Sequence, residues 1–264
     1  MDEALIRSAA EHVSATRLGQ GRLGPLPGLA AADLDAAYRI QQRSNVRLSD
    51  SLGPVTGYKI GATALHMQRY LGVAEPVFGE IFATTLLAHP ARLQLGRFTR
   101  LGIETEIAVT LARDLRPDDA PFERAGLARC VASVHAAIEL VDDRYADFSA
   151  VGAATLAADN FFGTGLVLGT AHGLAEIGPL DQLAARTILD GEEVGAGRSD
   201  ALLGHPLDAL AWFANRRARL GLAVPNGSVV TLGSITPVFW LDRPMAVRIE
   251  IEHLGAVDVD VTGA

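Results

Sequence analysis

Glu104 and Glu106 are separated by one residue in Gly102-Ile103-Glu104-Thr105-Glu106-Ile107-Ala108-Val109. On an extended strand, residues i and i+2 project to one face, about 7 Å apart. Two carboxylates so placed against an apolar core repel and lose solvation unless a proton or cation neutralises them. A hard divalent ion taking oxygen ligands would do so. A solvated strand face explains an isolated Glu-x-Glu equally well. Glu139 shifts that balance, because it stands alone among apolar residues in Ala136-Ala137-Ile138-Glu139-Leu140-Val141, and buried acids are rarely unpaired. Three carboxylates without clear histidine or cysteine partners suit Mg²⁺ or Mn²⁺ better than Zn²⁺. Asp159, in Ala158-Asp159-Asn160-Phe161-Phe162-Gly163, is either a further polar group of such a site or turn chemistry.

A second signal comes from the basic residues. Of 23, all but Lys59 are arginine. Arginine cannot lose its proton near neutral pH or act as a compact point charge. Lys59 lies in the apolar, glycine-flanked run Val55-Thr56-Gly57-Tyr58-Lys59-Ile60-Gly61, where burial is expected to lower its pKa. Chance survival on a strand edge is the plain alternative to a chemical role.

Other chemistries find less support. Neither GxxxxGK[ST] nor G-x-S-x-G occurs in the sequence, so phosphate-loop and serine-triad readings lack a motif. His66 reads as a helix-surface residue, His135 as a hydrogen-bonded core residue, and Cys130, the one cysteine, as a buried structural thiol. A lone cysteine also fits a reducing compartment. The formal net charge of −8 argues against nucleic-acid or anionic-membrane partners. No apolar run approaches the length of a membrane helix, and the first residues lack a signal-type apolar core. A cytoplasmic protein is expected.

The elements that must position these groups follow from periodicity and turn signals. Residues 2–16 and 31–50 read as helices, separated by a Gly/Pro-rich loop. Strands are expected from Val55, over Thr84–His89 and Glu104–Ala112, and at Leu166–Leu168. The run 131–141 is ambiguous between strand and helix, with strand favoured. Thr63 is the expected N-cap of a short helix through Leu71, ended by Gly72. Asp190-Gly191 marks a hairpin within Arg186–Val194, residues 206–220 an amphipathic helix, and the remaining tail alternates as strands. Irregularly spaced strands with few helices between them predict an α+β fold with a mixed sheet. One catalytic domain over 1–264 is expected, a helical lead-in at 1–50 preceding a sheet-rich body at 51–264.

In order, GYKIGAT with LGVAEPVFGEIF, GIETEIAV, HAAIELVDDRY and ADNFFGTGLVLG resemble the 2-keto-4-pentenoate hydratase and 4-oxalocrotonate decarboxylase group of the fumarylacetoacetate hydrolase superfamily. The resemblance covers roughly residues 35–235. It implies a mixed β-roll, a Mg²⁺ or Mn²⁺ site, a homo-oligomer, and a small 2-oxo or 2-hydroxy-dienoic acid as substrate. It places the family's metal-binding carboxylates on Glu104, Glu106 and Glu139, and its active-site lysine on Lys59. Its hydroxyl-bearing segment matches Gly233-Ser234-Ile235-Thr236 in part, making Ser234 and Thr236 substrate-binding candidates with Asp159. Phe161-Phe162 stand where hydratases usually carry small or hydroxyl residues, and Leu232 where a threonine is common, so the pocket is expected to be more apolar. The implied reaction is hydration of a 2-hydroxy-2,4-dienoate to a 4-hydroxy-2-oxo acid. Decarboxylation of a 2-oxo-enedioate and C–C hydrolysis of an acylpyruvate share its electron sink, and a non-catalytic partner subunit of the same fold is the remaining alternative.

Overall fold

Two capped helices open the chain. A computed structural model describes residues 1–263 apart from the side chain of His66, so the surface reading of His66 lies outside the described residues. Helix α1 (Glu3–Leu18) begins where Asp2 accepts a hydrogen bond from the Leu5 N–H, and α2 (Leu34–Leu52) where Asp33 accepts from Ala36. Each turns one apolar stripe inward, Ile6, Ala10 and Val13 on the first, Tyr38, Ile40 and Leu48 on the second.

The body follows as β1 (Val55–Gly61), α3 (Leu65–Leu71), β2 (Val77–Phe82), β3 (Leu86–Ala88), β4 (Ala91–Gln94) and β5 (Leu101–Leu111). Next come α4 (Arg124–Ala128), β6 (Val131–Asp142), α5 (Ala153–Ala158), β7 (Gly163–Leu168), α6 (Leu174–Ile177), β8 (Ala184–Leu189) and β9 (Glu192–Arg198). Helix α7 (Pro206–Arg219) and strands β10 (Val229–Ser234), β11 (Phe239–Trp240), β12 (Met245–Ile251) and β13 (Gly255–Thr262) complete it.

Several expectations need correction. Thr63 does not cap α3: Ala64 holds that position without a side-chain hydrogen bond, and Thr63 is instead buried against Gly233. The strand expected at Thr84–His89 is shorter, because Ala83–Thr85 coil into a 3₁₀ turn. Strand β2 has no counterpart in the sequence reading. All six of its residues are buried, so the polar–apolar alternation that betrays a half-exposed strand is missing. The hairpin at Asp190-Gly191 forms as expected, with both residues left-handed.

The strands make two sheets. One runs β2-β1-β10-β5-β6-β7-β3, with β11 added to β5, and the other runs β4-β13-β12-β8-β9. The first is mixed: β1 with β10 and β3 with β7 are parallel, the remaining pairs antiparallel. It curls until β2 comes against β7. Helices α2 and α7 cover the outer face of β1 and β2, where Tyr38 stacks on Phe78 at 4.2 Å and Phe213 meets Tyr58 at 5.0 Å. The inner face carries a separate apolar cluster of Ile81, Ala108, Ala137, Leu166 and Val229. Ala108 and Ala137 lie two residues from Glu106 and Glu139, so by strand alternation this cluster forms the floor beneath the carboxylates.

Candidate metal centre

Register alone brings the acids together. In the antiparallel β5–β6 pair Glu104 lies directly opposite Glu139, and Glu106 opposite Ala137. Alternation puts all three carboxylates on the inner face, and one oxygen from each lies within 4.8 Å of the others. Like charges facing each other across a strand pair are destabilising, so the arrangement calls for a counter-charge. Part of it is Lys59, whose Nζ is 2.7 Å from Glu139 Oε1, with both side chains almost completely buried. Gly233 supplies another favourable contact. The β10–β5 register shifts between Thr231 and Ser234, and Gly233, at φ +117°, donates its N–H to Glu106 Oε2 at 2.6 Å. A side chain at that backbone angle would be strained.

The charge does not balance. Three carboxylates against one ammonium leave two negative charges unmatched in a buried cluster. Burial pushes Glu104 up to about 7, with Glu139 adding to the rise and Lys59 opposing it. Burial raises Glu106 well above the ordinary carboxylate range, reinforced by Glu139 and Glu104. For Lys59, burial pushes the ammonium pKa down, but Glu139, Glu104 and Glu106 together outweigh it and the net direction is up. The lowered value expected from burial alone is thereby corrected. Glu139 Oε1 is buried and has the Lys59 ammonium as its partner. Three carboxylate oxygens within 4.8 Å of one another and two surplus negative charges fit one hard divalent cation.

Beside this cluster runs the turn 159–163. Asn160, Phe161 and Phe162 are all left-handed, with φ of +55°, +48° and +65°. Asn160 exchanges two amide hydrogen bonds with Asn45 of α2, and its Oδ1 also accepts from the Glu80 N–H. The turn sets the Phe161 ring 4.9 Å from Lys59 Nζ and over Gly61, where no Cβ would fit.

The remaining sequence candidates are placed differently. Ser234 lies opposite Glu106 and donates its hydroxyl to Thr236 O at 2.7 Å. The Thr236 hydroxyl meets Thr187 of β8 at 3.0 Å, and Thr187 meets Thr105 at 2.8 Å. Thr105 alternates with Glu104 and Glu106, so Thr236 serves the contact between the sheets and not the carboxylate face. Asp159 terminates α5, and its carboxylate takes Arg144 at 2.9 Å, the Tyr145 hydroxyl at 3.0 Å and Arg17 at 3.3 Å. None of these partners is Lys59 or one of the three glutamates, so the structure does not bring Asp159 into the cluster. His135 is the hydrogen-bonded residue expected, held by Thr110, Ser133 and Gly169, and Cys130 is buried.

The sequence reading missed Arg17, Asn45 and Glu80. They lie on α1, α2 and β2, far in sequence from the turn they hold, and polar residues on amphipathic helices carry no signal that distinguishes them from solvated ones.

With this geometry in view, comparison with known proteins is decisive at the level of family. The model of the fumarylacetoacetate (FAA) hydrolase C-terminal domain matches residues 60–262. The chain belongs to the fumarylacetoacetate hydrolase family. Within that family it is 33% identical over 257 residues to a 2-keto-4-pentenoate hydratase of Paraburkholderia phymatum, covering 97% of both chains. It is 28% identical over 207 residues to a 4-oxalocrotonate decarboxylase of a Pseudomonas species, covering 78% of each. A solved 4-oxalocrotonate decarboxylase from Pseudomonas putida G7, complexed with magnesium and adipate, superposes with a TM-score of 0.90 at 23% identity, covering 100% of this chain and 99% of that one. That likeness establishes the fumarylacetoacetate hydrolase fold, and with it the α+β architecture with mixed sheets. Among the described residues, no helix is long and apolar enough to cross a membrane.

Proposed function

We propose that this protein is a divalent-metal-dependent hydro-lyase that adds water to a 2-hydroxy-2,4-dienoate and forms a 4-hydroxy-2-oxo acid. The observation that carries the reading is the buried cluster of Glu104, Glu106, Glu139 and Lys59, with its two unmatched negative charges. Near-full-length relatives named as hydratases support hydration over the decarboxylase alternative, whose named relative is more distant.

In this reading Glu104, Glu106 and Glu139 hold Mg²⁺ or Mn²⁺ through carboxylate oxygens. Held there, such an ion would supply Lewis-acid polarisation of the substrate's 2-oxygen, worth several kcal/mol. Lys59 holds its proton at Nζ next to Glu139 and is assigned to proton transfer during ketonisation of the dienol. Ketonisation leaves C4 conjugate to the carbonyl and open to water, so the 4-hydroxyl comes from solvent. Ile81, Ala108, Ala137, Leu166 and Val229 close the floor against bulk water, which strengthens every charge interaction above it. Ser234, beside Glu106, is the candidate for a hydroxyl contact to substrate. We also propose that the chain works as one catalytic unit, assembles as a homo-oligomer and acts in the cytoplasm.

The test is a spectrophotometric assay of 2-hydroxypenta-2,4-dienoate, 4-oxalocrotonate and an acylpyruvate, each with Mg²⁺ and with Mn²⁺. Metal-dependent loss of the dienoate absorbance, with 4-hydroxy-2-oxopentanoate as product, is the expected result. Preferential release of CO₂ from 4-oxalocrotonate would replace hydration with decarboxylation. Light scattering on the purified protein checks the assembly.

A further inference from the structure

The Phe161 ring is a large apolar surface beside the candidate centre. It lies 4.9 Å from Lys59 Nζ, which is itself 2.7 Å from Glu139. Behind it the aromatic surface continues outward. Phe162 meets Phe161 edge-on at 5.6 Å, Tyr145 at 5.2 Å and Phe148 at 5.6 Å, and Phe148 reaches the exposed ring of Tyr70 at 6.4 Å.

The wall is held in place. The Phe161 N–H donates to Leu156 O at 2.7 Å, the Gly163 N–H to Asn160 O at 2.9 Å, and the Asn45–Asn160 pair fixes the residue before it. Three consecutive left-handed residues persist only where surrounding contacts over-determine them. The two guanidinium groups that reach this turn, Arg17 and Arg144, are both committed to Asp159. Lys59 is committed to Glu139. An anion set against this wall would therefore lose its water, find these cations already paired, and face the negative side of the rings.

We propose that Phe161 is a specificity-determining residue that selects substrates whose end remote from the 2-oxo acid is uncharged and apolar. This rests on the 2-oxo acid reading given above. It assigns the protein an alkyl-ended or unsubstituted monocarboxylate and sets it against a dicarboxylate of the same length. A buried polar group left without a partner costs enough to change affinity about 10- to 100-fold.

The test is calorimetric and needs no turnover. The Mg²⁺-loaded protein is titrated with 2-oxohexanoate and with 2-oxoadipate, which share a carbon count and differ at the remote end. The expected result is at least tenfold tighter binding of 2-oxohexanoate. Phe161→Leu should keep that preference, and Phe161→Asn, whose side chain tolerates the left-handed backbone, should lose most of it. Phe161→Ser serves in its place if the asparagine variant does not fold. Equal or tighter binding of 2-oxoadipate by the wild-type protein would overturn the proposal, as would an undiminished preference in the folded polar variant. If neither acid binds, the 2-oxo acid reading itself fails, and the specificity claim falls with it.

Discussion

Asp159 and Glu139 are both carboxylates with almost no exposed surface, yet their surroundings differ in kind. Asp159 sits between Arg17 and Arg144, and Arg144 also lies 3.7 Å from Asp142, so two arginines meet two aspartates and the charge closes. Glu139 shares one lysine with two further carboxylates. Burying charge is costly wherever it occurs, and a closed ionic cluster recovers much of the cost internally. An open one does not, and it persists only if something outside the chain completes it. Burial and acidity are thus shared by the two regions, and charge closure separates them.

The sharpest way to break this distinction is Lys59→Arg. Arginine keeps the positive charge but cannot release a proton at working pH and needs more room than an ammonium, while Lys59 Cε is already confined, 3.2 Å from where a Cβ on Gly163 would lie. We expect turnover of the best substrate to fall about 10²- to 10⁴-fold, with thermal unfolding and Mg²⁺ titration showing a folded protein that still binds metal. Near-wild-type turnover would reduce Lys59 to an electrostatic counter-ion. Asp159→Asn makes the complementary test. It leaves two buried arginines short of a partner, and we expect a loss of about 3–5 kcal/mol in denaturant unfolding, with or without Mg²⁺.

Neutralising the open cluster should act in the opposite sense. Glu104→Gln, Glu106→Gln and Glu139→Gln each remove a charged ligand from a hard cation, so Mg²⁺ affinity by calorimetry should fall about tenfold or more, roughly 1.4 kcal/mol. Glu104→Gln should leave metal-free stability unchanged or raised, since it relieves repulsion. If it destabilised the metal-free protein as strongly as Asp159→Asn, the two regions would not differ as argued.

What the sequence made legible divides along the same line. Glu104, Glu106 and Glu139 could be read because strand alternation is a local rule and a lone acid in an apolar run is a local anomaly. Lys59 stood out because the chain otherwise uses only arginine. The helical lead-in, the long strands and the Asp190-Gly191 hairpin were legible for the same reason. The contacts that Asp159 makes with Arg17 and Thr236 with Thr187 were not legible, because those partners lie 142 and 49 residues away. Strand β2 stayed hidden because it is buried on both faces.

A smaller effect sharpens the comparison through pH. Glu104 and Glu106 have raised pKa values in the folded protein, so it binds more protons than the unfolded chain. The metal-free protein should then lose stability as pH rises from the ordinary carboxylate value of 4.5 through about 7, the folded value for Glu104. Melting temperatures recorded at pH 5 and pH 8 check this, and Mg²⁺ should restore stability at the higher pH while displacing protons.

The place of β10 in the first sheet has a consequence for how the molecule is made. This strand lies between β1 and β5, yet it is encoded more than a hundred residues after both. Lys59 and Glu104 therefore cannot be held in one sheet until Val229–Ser234 leave the ribosome and insert between their strands. Pairings of such long range close slowly, and a nascent chain emerging at about 5–20 residues per second spends seconds with the strand of Lys59 unjoined to the acidic pair β5–β6. The meeting of lysine and carboxylates becomes a late event in biogenesis, and a chain cut before Val229 would carry all four side chains of the cluster and still be unable to hold them in one sheet.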